Sequence, residues 1–196
     1  MTVAGVGLAG GAGRRMGGVD KAALHLRGTT LLDRVLSAAE PVCDRLLVVG
    51  PDRPTTVAGV TFVREDEPGG GPVPAILAGL AAAPDCDVVL VLATDLPLLL
   101  PHHLRLLLDG LQGDAVAAQD SEGPNPLLAA YRSAALAERA ARLRLGAGSS
   151  AGRLLPDGVS TVDLGPATFN VNRPEDLAAA EVLASRTVNG LPVQDW

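Results

Sequence analysis

The residues Asp87 to Leu92 constrain this chain more than any others. Behind the aspartate runs VVLVL, apolar at every position. A strand with no polar face cannot meet water on either side. It must lie inside a largely parallel sheet with helices on both faces. The rest of the chain supplies those partners. Val3 to Leu8, Arg45 to Val49, Val60 to Val63, Ala115 to Gln119, Leu127 to Tyr131 and Val159 to Leu164 read as further strands. Leu31 to Glu40 has helical spacing, with Leu32, Val35, Leu36 and Ala39 on one face. Pro72 to Ala83, Pro101 to Leu111, Ala134 to Leu145 and Pro174 to Leu183 read as helices, three of them opening on proline, which suits a first turn. Glu175 and Asp176 match the positive end of the last helix dipole. This alternation predicts a three-layer α/β fold with a mostly parallel central sheet. The expected organisation is one domain over residues 1–185, followed by a tail over 186–196 with no clear pattern.

Composition narrows the function. The 196 residues carry a net charge of -6 and only four aromatic rings: Phe62, Phe169, Tyr131 and Trp196. Such a chain offers neither a basic surface nor a stacking platform for nucleic acid. Cys43 and Cys86 lie far apart and His25, His102 and His103 form no zinc pattern, so two ordinary thiols in a reducing compartment are expected. Arg14 and Arg15 follow the apolar N-terminal run, where a signal peptide would have its charges before it, and no apolar stretch approaches the ~20 residues of a membrane span. A cytoplasmic protein without a membrane partner is expected.

Directly after the first strand comes LAGGAGRRMGGVDK, Leu8 to Lys21. It occupies the carboxyl end of a strand, where open α/β sheets bind ligands. Gly5, Gly7 and Gly10 match GxGxxG, but two of them fall inside the strand. Gly13 to Gly18 has Walker spacing, but Val19 stands where lysine is required. What remains is a loop of small residues closed by Arg14, Arg15 and Lys21. Gly10, Gly11 and Gly13 allow backbone N–H groups to approach an anion without a Cβ in the way. Of 16 basic residues, 15 are arginine and Lys21 is the single lysine. A lone lysine at the end of a glycine loop points to a compact ammonium that contacts phosphate oxygens. Asp95 follows the apolar strand in ATDLP, placed in the same crevice, and suits a Mg²⁺ ion that also holds phosphates. A turn role before Pro97 fits the same residue type.

The segment LAGGAGRRMGGVDKAAL resembles the signature LAGGxSxRMGxDKxLL of the MobA-like nucleotidyltransferases, among them the guanylyltransferases of the molybdenum cofactor. Phe169 to Leu177, FNVNRPEDL, is similar to the FxNxNTPEDL of that family, with Arg173 in place of threonine. The resemblance runs from about Val3 to Leu183. It implies a Rossmann-like fold of the nucleotide-diphospho-sugar transferase type, and transfer of GMP from GTP to molybdopterin with release of pyrophosphate. By the same resemblance Leu8, Ala9, Gly10 and Gly11 would line the nucleotide. Arg15 and Lys21 would hold the triphosphate, and Asp95 would hold Mg²⁺ with Asn170 and Asn172 as weaker candidates. Asp66, shortly before the turn Gly69 to Pro72, would contact the nucleotide. Gly50 stands where some relatives carry asparagine, and Ala75 where glycine is frequent.

Pro124-Asn125-Pro126-Leu127, before the strand ending at Tyr131, is similar to a family run that faces the second substrate, and Gly146 to Gly152 reads as a lip over that substrate or as a flexible connection. A molybdenum cofactor biosynthesis or acceptor protein is an implied partner. Three other readings stay open at this point. They are a cytidylyltransferase for the same cofactor, a guanylyltransferase for another phosphorylated small molecule, and a nucleotide-binding regulator without turnover. Gly10 in LAGG favours guanine over the LAAG of cytidylyl relatives, by resemblance.

Overall fold

A computed structural model describes residues 1–10, 20–66, 68–185, 187–188 and 191–192. In chain order the elements are β1 (Val3–Leu8), β2 (His25–Leu26), β3 (Thr29–Thr30), α1 (Leu31–Ala39), β4 (Arg45–Val49), β5 (Val60–Val63), α2 (Pro72–Ala81) and β6 (Val88–Ala93). There follow α3 (Pro101–Asp109), β7 (Ala115–Asp120), β8 (Gly123–Arg132), α4 (Ser133–Arg142), β9 (Ser160–Asp163), α5 (Pro174–Ser185), β10 (Thr187–Val188) and β11 (Leu191–Pro192). Short 3-10 turns cover Lys21–Ala23, Ala151–Leu154 and Gly165–Thr168.

The main sheet has seven strands in the order β5-β4-β1-β6-β8-β7-β9. Pairing is parallel everywhere except along both edges of β8, so β8 alone runs against the rest. The mostly parallel sheet expected from the sequence is therefore present. The alternation along β6 shows why its sequence has no polar face. Val88, Leu90 and Leu92 pack into one core with Leu32, Leu36 and Leu104 of α1 and α3. Val89 and Val91 point the other way, into a second core with Ile76 of α2 and Leu136 of α4. Each fully buried aliphatic side chain of this size contributes about 1.5–3 kcal/mol relative to exposure. A third, smaller core of Leu26, Leu31, Val171 and Ala180 ties α5 to the β2–β3 hairpin.

Close approach explains some small residues. A Cβ on Gly79 of α2 would collide with the side chain of Val6 in β1, so this helix lies directly on the strand that carries the glycine loop. Short Ala, Val and Gly side chains set that layer spacing, as the aromatic-poor composition requires.

Two sequence expectations need correction, and one element is additional. The tail after Ser185 holds a two-stranded antiparallel pair, β10 with β11. The β2–β3 hairpin, two residues per strand, was not expected from any periodicity. Pro124 to Leu127 lie inside β8, not before a strand. Here β8 pairs only with β7, past a bulge between Ala117 and Ala118, while its pairing with β6 spans Leu128 to Arg132. Prolines are tolerated there because one edge has no partner strand to receive an N–H. Among the described residues no helix is long and apolar enough to cross a membrane.

Candidate functional site

The carboxyl ends of β1, β4 and β6 open on one edge of the sheet. At β1 the chain continues past Leu8 with Ala9, whose N–H donates to the Val49 carbonyl at 2.9 Å. Gly50 follows β4 with φ +146°, and a Cβ there would stand 2.8 Å from the Ala9 carbonyl carbon and 2.9 Å from the Gly10 nitrogen. Only glycine allows β4 to press against the chain where it enters the loop. The departure at position 50 from the asparagine of some relatives thus has a steric reason. The buried Thr94, just after β6, donates its hydroxyl to the Leu8 carbonyl at 3.1 Å. The start of the glycine loop is pinned from both neighbouring strands.

The far end of the loop is pinned as well. Asp20 accepts from the Ala22 N–H at 3.2 Å and starts the turn that carries Lys21. Arg53 grips the same carboxylate with two bonds, Nε to Oδ2 at 2.6 Å and Nη2 to Oδ1 at 2.9 Å. Fork-to-fork pairing of this kind fixes orientation as well as distance. A further Arg53 bond, Nη1 to the Pro51 carbonyl at 2.9 Å, anchors the guanidinium to the loop after β4.

Lys21 then reaches across the crevice. Its ammonium donates to Asp95 Oδ2 at 3.2 Å and to Asn172 Oδ1 at 2.8 Å. The side chains of Lys21 and Asp95 are 24% and 22% exposed, so the pair is sheltered yet reachable from solvent. Asn172 is brought there by a second set of bonds. The Asp95 carbonyl accepts from the Val171 N–H at 2.9 Å, and Asp176 in the first turn of α5 accepts from the N–H groups of Asn172 and Arg173 at 2.7 and 2.8 Å. Arg34 of α1 donates to the Pro97 carbonyl at 2.7 Å and holds the turn beyond Asp95.

The structure therefore gathers Lys21, Asp95 and Asn172, with Leu8, Ala9 and Gly10 along the same edge. Asn170 is half-buried and close in sequence, but makes no hydrogen bond among the described residues. Gly11, Gly13, Arg14 and Arg15 lie outside the described residues. Asp66 is exposed and has no hydrogen bond or ion pair among the described residues. Its neighbour Glu65 is the carboxylate that faces Gly10. Asn125 accepts from the Leu127 N–H at 2.9 Å within its own strand. In the segment Gly146 to Gly152, the Gly148 N–H donates to the Gly70 carbonyl at 2.8 Å, which ties this segment to the turn before α2.

Sequence reasoning missed Asp20, Arg53 and Thr94. An acidic residue directly before the single lysine was a usable signal for Asp20. Nothing local marks Arg53, which is 33 positions from its partner.

Among the described residues the site offers the Lys21 ammonium, the Asp95 carboxylate, the Asn172 amide oxygen and backbone groups. The two cysteines stand away from this edge: Cys43 precedes β4 and Cys86 precedes β6, at the amino ends of those strands, and burial, aided by the Asp44 carboxylate and by Cys86, pushes the Cys43 thiol up to about 12. Such a set can bind and orient an anionic substrate and neutralise charge that develops on it.

Residues 5–158 match the model of the family described as the MobA-like NTP transferase domain. The chain is 35% identical over 190 residues to a Cereibacter sphaeroides protein named molybdenum cofactor guanylyltransferase, covering 93% of this chain and 97% of that one. To a Chloroflexus aggregans protein named probable molybdenum cofactor guanylyltransferase it is 31% identical over 211 residues, covering 95% and 97%. Among solved structures, molybdopterin-guanine dinucleotide biosynthesis protein A of Archaeoglobus fulgidus superimposes with a TM-score of 0.69 at 26% identity, covering 94% of this chain and all of the other.

Proposed function

Because the chain belongs to the MobA-like NTP transferase family, we propose that it transfers GMP from GTP to molybdopterin, the pterin form of the molybdenum cofactor, and releases pyrophosphate. The observation that carries this reading is the convergence of Lys21, Asp95 and Asn172 at the mouth of the glycine loop. That loop follows β1 in the crevice where open α/β sheets receive nucleotides. The Ala9 and Gly10 backbone and Leu8 border the nucleoside side, with Asp66 exposed nearby. Arg15 and Lys21 serve the triphosphate.

In this reading a terminal phosphate oxygen of the pterin attacks the α-phosphorus of GTP in line. An O–P bond forms as the bond to the bridging oxygen of pyrophosphate breaks, and negative charge collects on the leaving group. The Lys21 ammonium is the group placed to neutralise it. Asp95 and Asn172 hold that ammonium in the crevice before substrate arrives, so its donors are already aimed. A triphosphate then competes with Asp95 for Lys21.

Mg²⁺ is the expected cofactor, and the donor set fits it. Among the described residues no three His, Cys, Asp or Glu side chains gather into a metal centre. One carboxylate with phosphate oxygens and waters is the usual way a protein holds this ion on a nucleotide. Asp95 would hold it, with the amide oxygens of Asn172 and Asn170 as weaker donors. When bound, the ion would polarise the phosphates and offset their charge.

The test is pyrophosphate release with purified protein, molybdopterin and each of GTP, CTP, ATP and UTP in turn. The reading expects release that needs both GTP and the pterin. Preference for CTP would favour the cytidylyl alternative, and binding of GTP without turnover would favour a regulator.

A further inference from the structure

The 22 residues from Arg132 to Arg153 hold five of the 16 basic residues and one of the 22 acidic ones. This stretch carries +4 and the remainder of the chain -10. It begins at the end of β8, forms α4 and runs on toward β9. Beside α4 lies a groove of about 500 Å³. Its floor includes Ala115 and Leu154, both buried. Arg132, Arg139 and Arg142 line it along the helix. It starts where Ala115 opens β7, at the sheet edge opposite Lys21.

Two of these arginines are fixed without being neutralised. Arg132 Nε donates to the Gly113 carbonyl at 3.1 Å, and Arg139 Nε to the Arg153 carbonyl at 2.8 Å. Neutral carbonyls thus aim two guanidinium groups and leave their charge in place. Arg139 Nη2 stands 4.0 Å from Asp157 Oδ1, a fully exposed carboxylate that a ligand can replace. Arg142 is exposed and has no hydrogen bond or ion pair among the described residues. Asp114 and Glu138 also line the groove, and neither pairs with the three arginines.

A guanidinium is a planar fork that matches the two oxygens of a carboxylate. From Arg132 to Arg142 the helix rises about 15 Å, which about five residues of extended chain cover. An extended peptide carries acids only where its sequence puts them, and its N–H groups can donate to Asp114 and Glu138. A phosphodiester chain is charged at every unit and brings no such backbone donors. Tyr131, the aromatic residue lining the groove, is buried with its hydroxyl on the Pro126 carbonyl at 3.0 Å, so it offers no face for stacking a base.

We propose that this groove docks an acidic, extended segment of a partner polypeptide. Arg132, Arg139 and Arg142 grip its carboxylates, and its backbone N–H groups face Asp114 and Glu138.

Fluorescence anisotropy on the full chain tests this with a labelled octapeptide that alternates glutamate and valine. The wild type should bind it saturably at low salt, and more weakly as salt screens the contacts. Glutamine in place of every glutamate of the peptide should weaken binding by at least about 10-fold. Arg142→Glu should weaken it by at least about 5-fold, and Arg139→Ala combined with Arg142→Ala by at least about 10-fold. Arg105→Glu changes an exposed arginine of α3 outside the groove, and should leave binding within about 2-fold. Thermal unfolding checks that each variant is folded, and Arg142→Glu carries the test if the double variant is not. A wild type that does not bind the peptide, equal binding of the glutamine peptide, or equal losses in Arg105→Glu and Arg142→Glu would overturn the proposal. So would an oligothymidylate of the same charge that binds more tightly than the peptide, or inorganic tripolyphosphate that displaces the peptide at equal concentration. The face would then take nucleic acid or a small anion. Binding is read without GTP or molybdopterin, so its failure leaves the proposed transfer reaction untouched.

Discussion

The Lys21 ammonium lies 3.2 Å from the Asp95 carboxylate, although 74 residues separate them in the chain. One stands at the end of the loop after β1 and the other just beyond β6, two strands paired in parallel along their whole length. Parallel pairing puts the carboxyl ends of both strands on one edge, so the contact is a consequence of topology. Asn172 completes it because the chain leading into α5 is bonded to the Asp95 carbonyl.

Replacing Lys21 with alanine removes the ammonium and leaves Asp95 without its cation. A charge-assisted bond to a sheltered phosphate is worth about 1.5–3 kcal/mol. Turnover relative to KM for GTP should fall by about 10- to 100-fold, with thermal unfolding little changed because the pair is partly exposed. Steady-state kinetics beside a melting curve checks both halves.

Asp95→Asn keeps the shape and removes the charge. Activity across a Mg²⁺ titration should fall much further than GTP affinity, since the base-side contacts remain. Calorimetry with GTP, run beside the activity titration, separates the two. Full activity at low Mg²⁺ would make Asp95 a turn residue and move the metal elsewhere.

Arg53 grips the Asp20 carboxylate directly before Lys21 and positions that lysine through it. Arg53→Ala should raise KM for GTP by about 3- to 10-fold with a smaller effect on kcat, because Lys21 loses its preset orientation. Arg53→Lys should rescue only in part, since an ammonium cannot grip both oxygens in a fixed fork. Equal and full rescue by lysine would show that charge alone matters.

His103 supplies the stability prediction. Its ring accepts from the Leu100 N–H at 3.1 Å at the start of α3, and burial, with His102 adding to it, lowers its pKa to about 4. The unfolded chain takes up this proton near 6.5. Between those values the unfolded state binds more protons, so stability falls as pH drops from about 6.5 toward 4 and levels below that. The ring is half-exposed, so the loss should be about 1 kcal/mol by pH 5 after allowance for solvent screening. Urea unfolding at pH 7 and pH 5, for the wild type and His103→Gln, should show a smaller pH difference in the variant.

Much of this arrangement was legible in the residues themselves. The strands Val3–Leu8, Arg45–Val49 and Val60–Val63 have the bounds their apolar runs suggested; the first two are largely buried and announce themselves locally, while the third is a partly buried edge strand. The β2–β3 hairpin was not legible, since two residues per strand carry no period. Pro124 and Pro126 hid the first half of β8, because only the sheet reveals that this edge is open. At the site, Lys21 and Asp95 stood out as a lone lysine after glycines and a carboxylate after an apolar strand. The Arg53–Asp20 clamp did not, because pairing across two loops leaves no local trace.

The central claim is that Lys21, Asp95 and Asn172 form the centre of a guanylyl transfer. The most direct measurement follows a labelled α-phosphate from GTP in a mixture with molybdopterin and Mg²⁺. The account predicts that the label moves onto the pterin phosphate as pyrophosphate is released, and that the transfer slows by at least about 10-fold in Lys21→Ala. Label that remains in GTP in the presence of the pterin, or a Lys21→Ala variant that transfers it at the wild-type rate, would contradict the account.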